Sequence, residues 1–245
     1  MQNQDISILI PARMESTRFP GKPLAPIDGL PMIVFCAKNA ICTGLDTYVC
    51  TDSKEIKTVC DLYDINSILT PECNTGTDRI SLAIDEINCK YVINLQGDEP
   101  LIDTNSLNIF IKEMEILEKN DEFIISGVSC VKSEQAFDPN NVKCAILQRN
   151  KQIQYFSRKP LLNCESSSDR SPYYKQLGLY GMSKKSLKEF SSMKQGILEL
   201  AEKVELLRWI EGGRKIFAAI IECDSISVDT PQDLVDVIDK VKSIN

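Results

Sequence analysis

The 245-residue sequence contains no histidine. That absence excludes Ser-His and Cys-His nucleophile pairs and every histidine-ligated metal centre. Chemistry must come instead from carboxylates, lysine, arginine, hydroxyls and a hard metal ion. Cysteine is not scarce, at ten residues, but no two are spaced C-x-x-C. Most lie in apolar runs such as "YVCTD" and "VSCVK". There, reduced thiols are expected as small buried hydrophobes, rather than a disulfide framework or a zinc site. No charge-free window approaches membrane-spanning length. The opening "MQNQDISILIPAR" shows no basic segment followed by a long apolar core and cleavage site, so a cytoplasmic protein is expected. The single tryptophan, Trp209, is expected in the core or at an interface. A net charge of −7 argues against a general nucleic-acid binder, which needs a basic footprint. Within so acidic a chain, a local basic cluster points to a site for a small anion.

The length fits one large α/β domain. In the first half, apolar β-rich runs at 6–10, 47–51, 66–69 and 91–95 alternate with helical patterns at 31–42, 53–63 and 77–88. A further helix follows from Thr104 to about Asn120. Such alternation with short loops predicts a parallel sheet with helices on both faces. The second half is less regular. Strands are expected at 123–131, 142–148, 154–157, 175–182 and 215–222, with a polar turn at 148–152. Residues 163–171, rich in Ser, Asp and Glu, read as a loop. A helix is expected from Lys184, and an amphipathic one over 197–212 ended by a glycine pair. "VDTPQDL" opens a last helix with Thr-Pro at its start.

Open α/β sheets bind ligands beyond the carboxyl ends of their strands, and three unusual loops fall there. "PARMESTRFPGKPL" (11–24) carries Arg13, Arg18 and Lys22 between prolines at 11, 20 and 23. Arginine forks and a lysine point charge match phosphate oxygens, and prolines hold such charges in place. The Walker A spacing is absent. "INLQGDEPLI" runs from an apolar strand into Gln96, Gly97, Asp98 and Glu99. An acid there can hold Mg²⁺ or simply cap a turn. Asp229 in "SISVDTPQDL" is either a second carboxylate facing Asp98 or the start of the last helix. Asn74, Thr75, Thr77, Asp78 and Arg79 could line a base pocket or cap a helix. Arg158 could pair with a substrate carboxylate or lie on the surface.

Taken together and in order, "IPARMESTRFPGKPL", "TGTDR", "NLQGDEPLI", "FDPNNVK", "YFSR", "LGLYG" and "VDTPQDL" resemble the CMP-Kdo synthetase family of sugar-acid cytidylyltransferases. The match covers nearly the whole chain. It implies a Rossmann-like nucleotidyltransferase fold, with a mostly parallel central sheet, helices on both faces and a smaller insertion for dimerisation and sugar binding. In a single domain over 1–245, residues 1–130 would bind nucleotide, 131–215 would serve the sugar and the dimer, and 216–245 would close the sheet. The implied reaction joins CTP to 3-deoxy-manno-octulosonate (Kdo) or a variant, giving CMP-sugar and diphosphate for lipopolysaccharide or capsule synthesis. By this resemblance Arg13, Lys22 and Asp98 are catalytic, and Mg²⁺ is held by Asp98 and Asp229. Nucleotide contacts fall to Ala12, Arg13, Ser16, Arg18, Lys22, Asn74, Thr75, Arg79 and Gln96. Sugar contacts fall to Gln96, Arg158, Gln176, Tyr180 and Glu205. A homodimer is implied, with no nucleic-acid or membrane partner. The lack of histidine suits this reaction, because phosphoryl chemistry rests on positioning and charge stabilisation.

Two positions leave the family pattern. Where the family carries Arg-His before "LGIYGY", this chain has Lys175 and Gln176. Where it carries "EQLR", this chain has "ELLR", with Leu206 replacing the amide. Both changes are expected in the sugar half of the site, where altered hydrogen-bond partners discriminate substrates strongly. The alternative acceptor is therefore the 8-amino-3,8-dideoxy sugar. A metal-dependent glycosyltransferase suits the three-cation loop less well. A non-catalytic nucleotide-sugar sensor fits poorly with the presence of Lys22, Asp98 and Asp229.

Overall fold

The computed structural model describes residues 5–16, 18–117, 122–162 and 173–244. The loop expected at 163–171 lies outside them. In the first half, strands β1 (Ile6–Ala12), β2 (Pro26–Ile27), β3 (Leu30–Pro31), β4 (Asp46–Thr51), β5 (Ser67–Leu69) and β6 (Tyr91–Leu95) alternate with helices α1 (Met32–Ile41), α2 (Lys54–Leu62), α3 (Gly76–Ala83) and α4 (Thr104–Ile116). Then come β7 (Ile124–Cys130), α5 (Ser133–Ala136), β8 (Lys143–Leu147), β9 (Gln152–Ser157), β10 (Tyr174–Ser183), α6 (Lys184–Ser192), α7 (Ile197–Glu202), α8 (Leu207–Glu211), β11 (Ile216–Ile220) and α9 (Pro231–Ile244).

One nine-stranded sheet runs β5-β4-β1-β6-β10-β7-β11-β9-β8. Its first four strands are parallel. β1 is buried along its whole length, as its unbroken apolar run demands of a strand covered on both faces. Ile6, Ile8 and Ile10 face a core built with α1, α2 and α4. Leu9 faces a second core with α3, α6 and α8, the period-two alternation of a strand. The sheet is mixed beyond β6: β10 lies antiparallel between β6 and β7, and β11 returns parallel to β7. A late strand thus occupies the centre of the sheet and carries residues 174–183 to the ends of β1 and β6.

Helix starts follow their capping residues. Ser53 Oγ accepts from Ile56 N, Thr75 Oγ1 from Asp78 N, and Asp103 Oδ1 from Ser106 N, each satisfying an amide that the helix leaves unpaired. α3 stops at Ala83 and continues only as a 3-10 turn over Ile84–Glu86, short of the expected Asn88. The helix expected over 197–212 is two helices. Lys203 takes a left-handed conformation, φ 55°, and ends α7. The amphipathic reading fails in α7, where Ile197 is 79% and Leu200 59% exposed and only Leu198 packs on the core. Glu199 turns inward to meet the buried Arg208. Trp209 is in the core, its Nε1 donating to Lys215 O at 3.1 Å.

The nine cysteines among the described residues are free thiols. Burial pushes Cys60 up to about 11 and Cys50 to about 12, which keeps them protonated and inert. Among the described residues, no helix is long and apolar enough to cross a membrane.

Candidate active site

β1 delivers the chain into the cationic loop. Ser16 Oγ accepts from Phe19 N at 3.3 Å, which curls the loop back. Gly21 then adopts φ 73°, a region that favours glycine, and leads into the 3-10 turn Lys22–Leu24. This turn aims Lys22 inward. Its Nζ donates to Asp98 Oδ2 at 2.6 Å and to Val228 O at 2.8 Å, with Asp229 Oδ1 at 3.6 Å. Arg18 pairs with Asp229 Oδ1 at 2.9 Å. Arg13 is exposed and faces the same space.

The alternative of a capping role for Asp229 is not the observed one. Thr230 caps α9, its Oγ1 accepting from Asp233 N at 3.3 Å, and Asp233 Oδ2 reaches back to accept from Asp229 N, Thr230 N and Thr230 Oγ1, a capping box. The Asp229 side chain is left for Arg18 and Lys22. Asp98 likewise turns to Lys22. Both carboxylates lie within 3.6 Å of one ammonium on the wall of a cavity of about 270 Å³. No cluster of three or more Cys, Asp or Glu suited to a metal occurs among the described residues. A pair of carboxylates fits Mg²⁺, which takes one or two of them and completes its shell with phosphate and water.

Ala12, Arg13, Ser16, Arg18, Lys22, Asn74, Thr75, Arg79 and Gln96 all line this cavity. The Arg79 guanidinium is already committed, to Asp52 Oδ2 at 2.5 Å and Thr70 Oγ1 at 2.8 Å. It therefore braces the wall from behind. A larger cavity of about 640 Å³ adjoins, sharing Arg13, Arg18, Gln96, Asp98 and Asp229. Arg158, Gln176, Tyr180 and Glu205 line it, joined by Glu99, Lys175, Asn141 and Glu199.

A network ties the two cavities together. Glu205 Oε2 accepts from Thr77 N at 3.2 Å and its Oε1 from Thr77 Oγ1 at 2.8 Å, with Gln96 Nε2 at 3.5 Å. The carboxylate thus sits at the N-terminus of α3, where the helix dipole favours negative charge. Burial raises the Glu205 pKa, and the bonds from Thr77 and Thr75 pull against that rise. Burial, then the nearby Glu205, Glu99 and Asp98 charges, push Tyr180 well above the usual phenol range. Its hydroxyl stays protonated and able to donate.

Gly178 permits the close approach of β10 to the loop after β6. A Cβ there would meet Glu99 Cγ at 2.7 Å and Gln96 Cβ at 2.8 Å. Its amide donates to Glu99 Oε1 at 2.9 Å, and Ser225 Oγ donates to Glu99 Oε2 at 2.6 Å. Burial raises the Glu99 pKa, with the Ser225 bond opposing. Gln176 faces the larger cavity with a buried Nε2 that has no hydrogen-bond partner. Leu206 does not share that position. It is fully buried among core residues, because the turn after Lys203 sends Glu205 toward Thr77 and its neighbour to the opposite side. Of the two departures from the family pattern, only the one at 175–176 reaches the cavity.

Glu199 and Arg208 were not among the residues singled out from sequence, and Glu99 and Lys175 were named there only beside Asp98 and Gln176. For Glu99 the adjoining "QGDEP" was the available signal. Arg208 ends the quoted "ELLR", but for Glu199 there was no signal, since it falls in a segment that reads as an ordinary amphipathic helix.

Comparison with known proteins agrees with this geometry. The family model described as cytidylyltransferase matches residues 7–216. The 8-amino-3,8-dideoxy-manno-octulosonate cytidylyltransferase of Shewanella baltica is 41% identical over 236 residues, 94% of this chain and 96% of that protein. The protein of the same name from Shewanella oneidensis is 40% identical over the same share of each. A solved structure of CMP:2-keto-3-deoxy-manno-octonic acid synthetase complexed with CTP superposes with a TM-score of 0.87 at 27% identity, over 98% of this chain and 99% of the other. The 4-diphosphocytidyl-2C-methyl-D-erythritol synthase of Anaerococcus prevotii shares the fold at 15% identity, TM-score 0.65, over 98% and 100%. The family model spanning residues 7–216 and relatives 41% identical over 94% of its length show that this chain belongs to the cytidylyltransferase family.

Proposed function

We propose that this chain transfers the cytidylyl group of CTP to the anomeric 2-hydroxyl of 8-amino-3,8-dideoxy-manno-octulosonate, releasing diphosphate. The observation that carries this reading is the position of Asp98 and Asp229 on the boundary of both cavities. The smaller, with Arg13, Arg18 and Lys22, suits a triphosphate. The larger, with Arg158, Gln176 and Tyr180, suits a polyhydroxylated acid. The names of the Shewanella relatives support the amino sugar over Kdo.

Asp98 and Asp229 would hold Mg²⁺, which when bound screens the phosphates and lowers the pKa of a coordinated hydroxyl. Arg13, Arg18 and Lys22 neutralise the triphosphate and the departing diphosphate. These side chains keep their charge throughout the transfer, and the proton lost by the attacking 2-hydroxyl passes to solvent. Gln176 and Tyr180 line the larger cavity, Tyr180 as a protonated phenol. In a diphosphate-release assay with CTP and Mg²⁺, kcat/KM for the amino sugar should exceed that for Kdo at least tenfold, with a sialic acid inert. Gln176→Leu should raise the KM for the amino sugar and leave that for CTP unchanged. Equal turnover of the two octulosonates overturns the specificity.

The exposed Ile197 and Leu200 on α7, with Phe137 at 63% and Leu147 at 45% exposure, support a homodimer. Leu200 also lines the larger cavity, so a partner there would help to enclose the sugar. Light scattering should give two chains per particle; a monomer at assay concentration counts against it. The reaction is assigned to the cytoplasm, and its product to lipopolysaccharide or capsule assembly.

A further inference from the structure

Lys143 opens β8 with only 1% of its surface exposed. It closes the "FDPNNVK" segment, to which the chemistry above assigns no role. Three backbone carbonyls hold its ammonium. Nζ donates to Asp138 O at 2.8 Å, to Asn141 O at 2.7 Å and to Arg158 O. A lysine has three protons to donate, and here each finds an acceptor. Burying a charge is costly unless it is fully bonded, and an apolar side chain would fill this place at less cost.

Two of the three carbonyls belong to residues on the walls of the larger cavity. Asn141 lies on the turn before β8, and Arg158 follows the end of β9. Both face the cavity, whereas Lys143 does not. The Arg158 side chain continues the knot, with Nη1 donating to Pro139 O at 3.0 Å and Nε to Glu202 O at 2.9 Å. Its backbone amide donates to Glu202 Oε2 at 2.9 Å. The 138–141 turn, the end of β9 and the end of α7 are thereby joined, with one ammonium at the centre.

We propose that Lys143 is a positioning residue for the acceptor sugar, setting the spacing of Asn141 and Arg158 across the larger cavity while touching no substrate. The inference rests on reading that cavity as the acceptor pocket. Small displacements of a positioning group cost large factors in rate or binding. Lys143→Met should therefore raise the KM for the amino sugar about tenfold and leave the KM for CTP within about twofold. In an Arg158→Ala background the same substitution should raise the acceptor KM by only about threefold, because one of the two side chains it positions is gone and Asn141 alone remains.

A lowered melting temperature with both KM values unchanged, or with both raised together, would show a merely structural role and overturn the proposal. If Lys143→Met does not fold, Lys143→Arg decides. It keeps the charge, but a planar fork does not match three converging carbonyls, so an unchanged acceptor KM in that folded variant overturns the proposal. Wild-type kinetics in the same assay separate the two failures. No diphosphate release with either octulosonate overturns the acceptor reading and the role of Lys143 with it. Normal wild-type turnover with an unchanged acceptor KM in Lys143→Met overturns the positioning role alone.

Discussion

Asp98→Asn lowers kcat by about 10³-fold while leaving the melting temperature within about 2 °C of the parent. The substitution keeps the shape of the side chain and removes only its charge. If Asp98 were a turn residue, asparagine would serve as well, since both types favour turns. Its partner says otherwise: Asp98 Oδ2 lies 2.6 Å from Lys22 Nζ, on the wall that both cavities share. Losing the charge leaves a lone Asp229 carboxylate to carry a divalent ion. It also frees Lys22 to swing, although Val228 O still holds it at 2.8 Å. The charge that organises the phosphates is then weakened at the moment it matters most. Diphosphate release with CTP, Mg²⁺ and the amino sugar measures the effect. Titration of Mg²⁺ into the protein gives a second reading, in which weaker uptake is expected. Turnover within threefold of the parent would remove Asp98 from the chemistry.

Arg208→Leu has the largest expected effect on stability, about 3–5 kcal/mol. Arg208 is 3% exposed. Its Nε and Nη2 each reach a Glu199 oxygen at 2.8 Å, and its Nη1 reaches Asp78 Oδ1 at 2.8 Å. The guanidinium also lies 4.4 Å from the centroid of the Phe190 ring, a favourable stacking distance for a cation. Burial opposes the charge, but the bonds to Glu199 and Asp78 outweigh it and raise the Arg208 pKa. Leucine fills much of the volume yet leaves two enclosed carboxylates facing each other. For a chain of this size the loss corresponds to a fall in melting temperature of roughly 10 °C. Calorimetry or a thermal melt measures it, and a fall below about 2 °C would mean the triad contributes nothing net. Converting Glu199 and Asp78 to Gln and Asn in the same background should recover part of the loss, because no unpaired charge then remains buried.

Much of the nucleotide half was legible in one dimension. The run Ile6–Ile10, the helix starts at Ser53, Thr75 and Asp103, and the pinned cations Arg13, Arg18 and Lys22 are local features. Short-range patterns encode them, because capping, alternation and proline restriction act over a few residues. The second half resisted. The apolar spacing of Ile197 and Leu200 suggested a core-facing helix, yet those residues face outward while Glu199 goes in. What reverses the expectation is Arg208, nine residues on in the chain, whose buried charge demands a carboxylate more strongly than an apolar face demands cover.

By itself the sequence determined the class of chemistry: no histidine, a cationic loop after a buried strand, and acids placed after other strand ends. It could name Asp98 and Asp229 but could not say that they meet. That pairing spans 131 positions and depends on Lys22 lying between them and on Thr230, not Asp229, capping the last helix. Only tertiary structure decided that Gln176 lines the larger cavity and Leu206 does not. The reason is physical. A left-handed residue at Lys203 and a central antiparallel strand set the directions in which those two side chains point. Neither the backbone reversal nor the strand's place in the sheet is a property of its own few residues. Both follow from how the whole chain buries its charges and its two apolar cores.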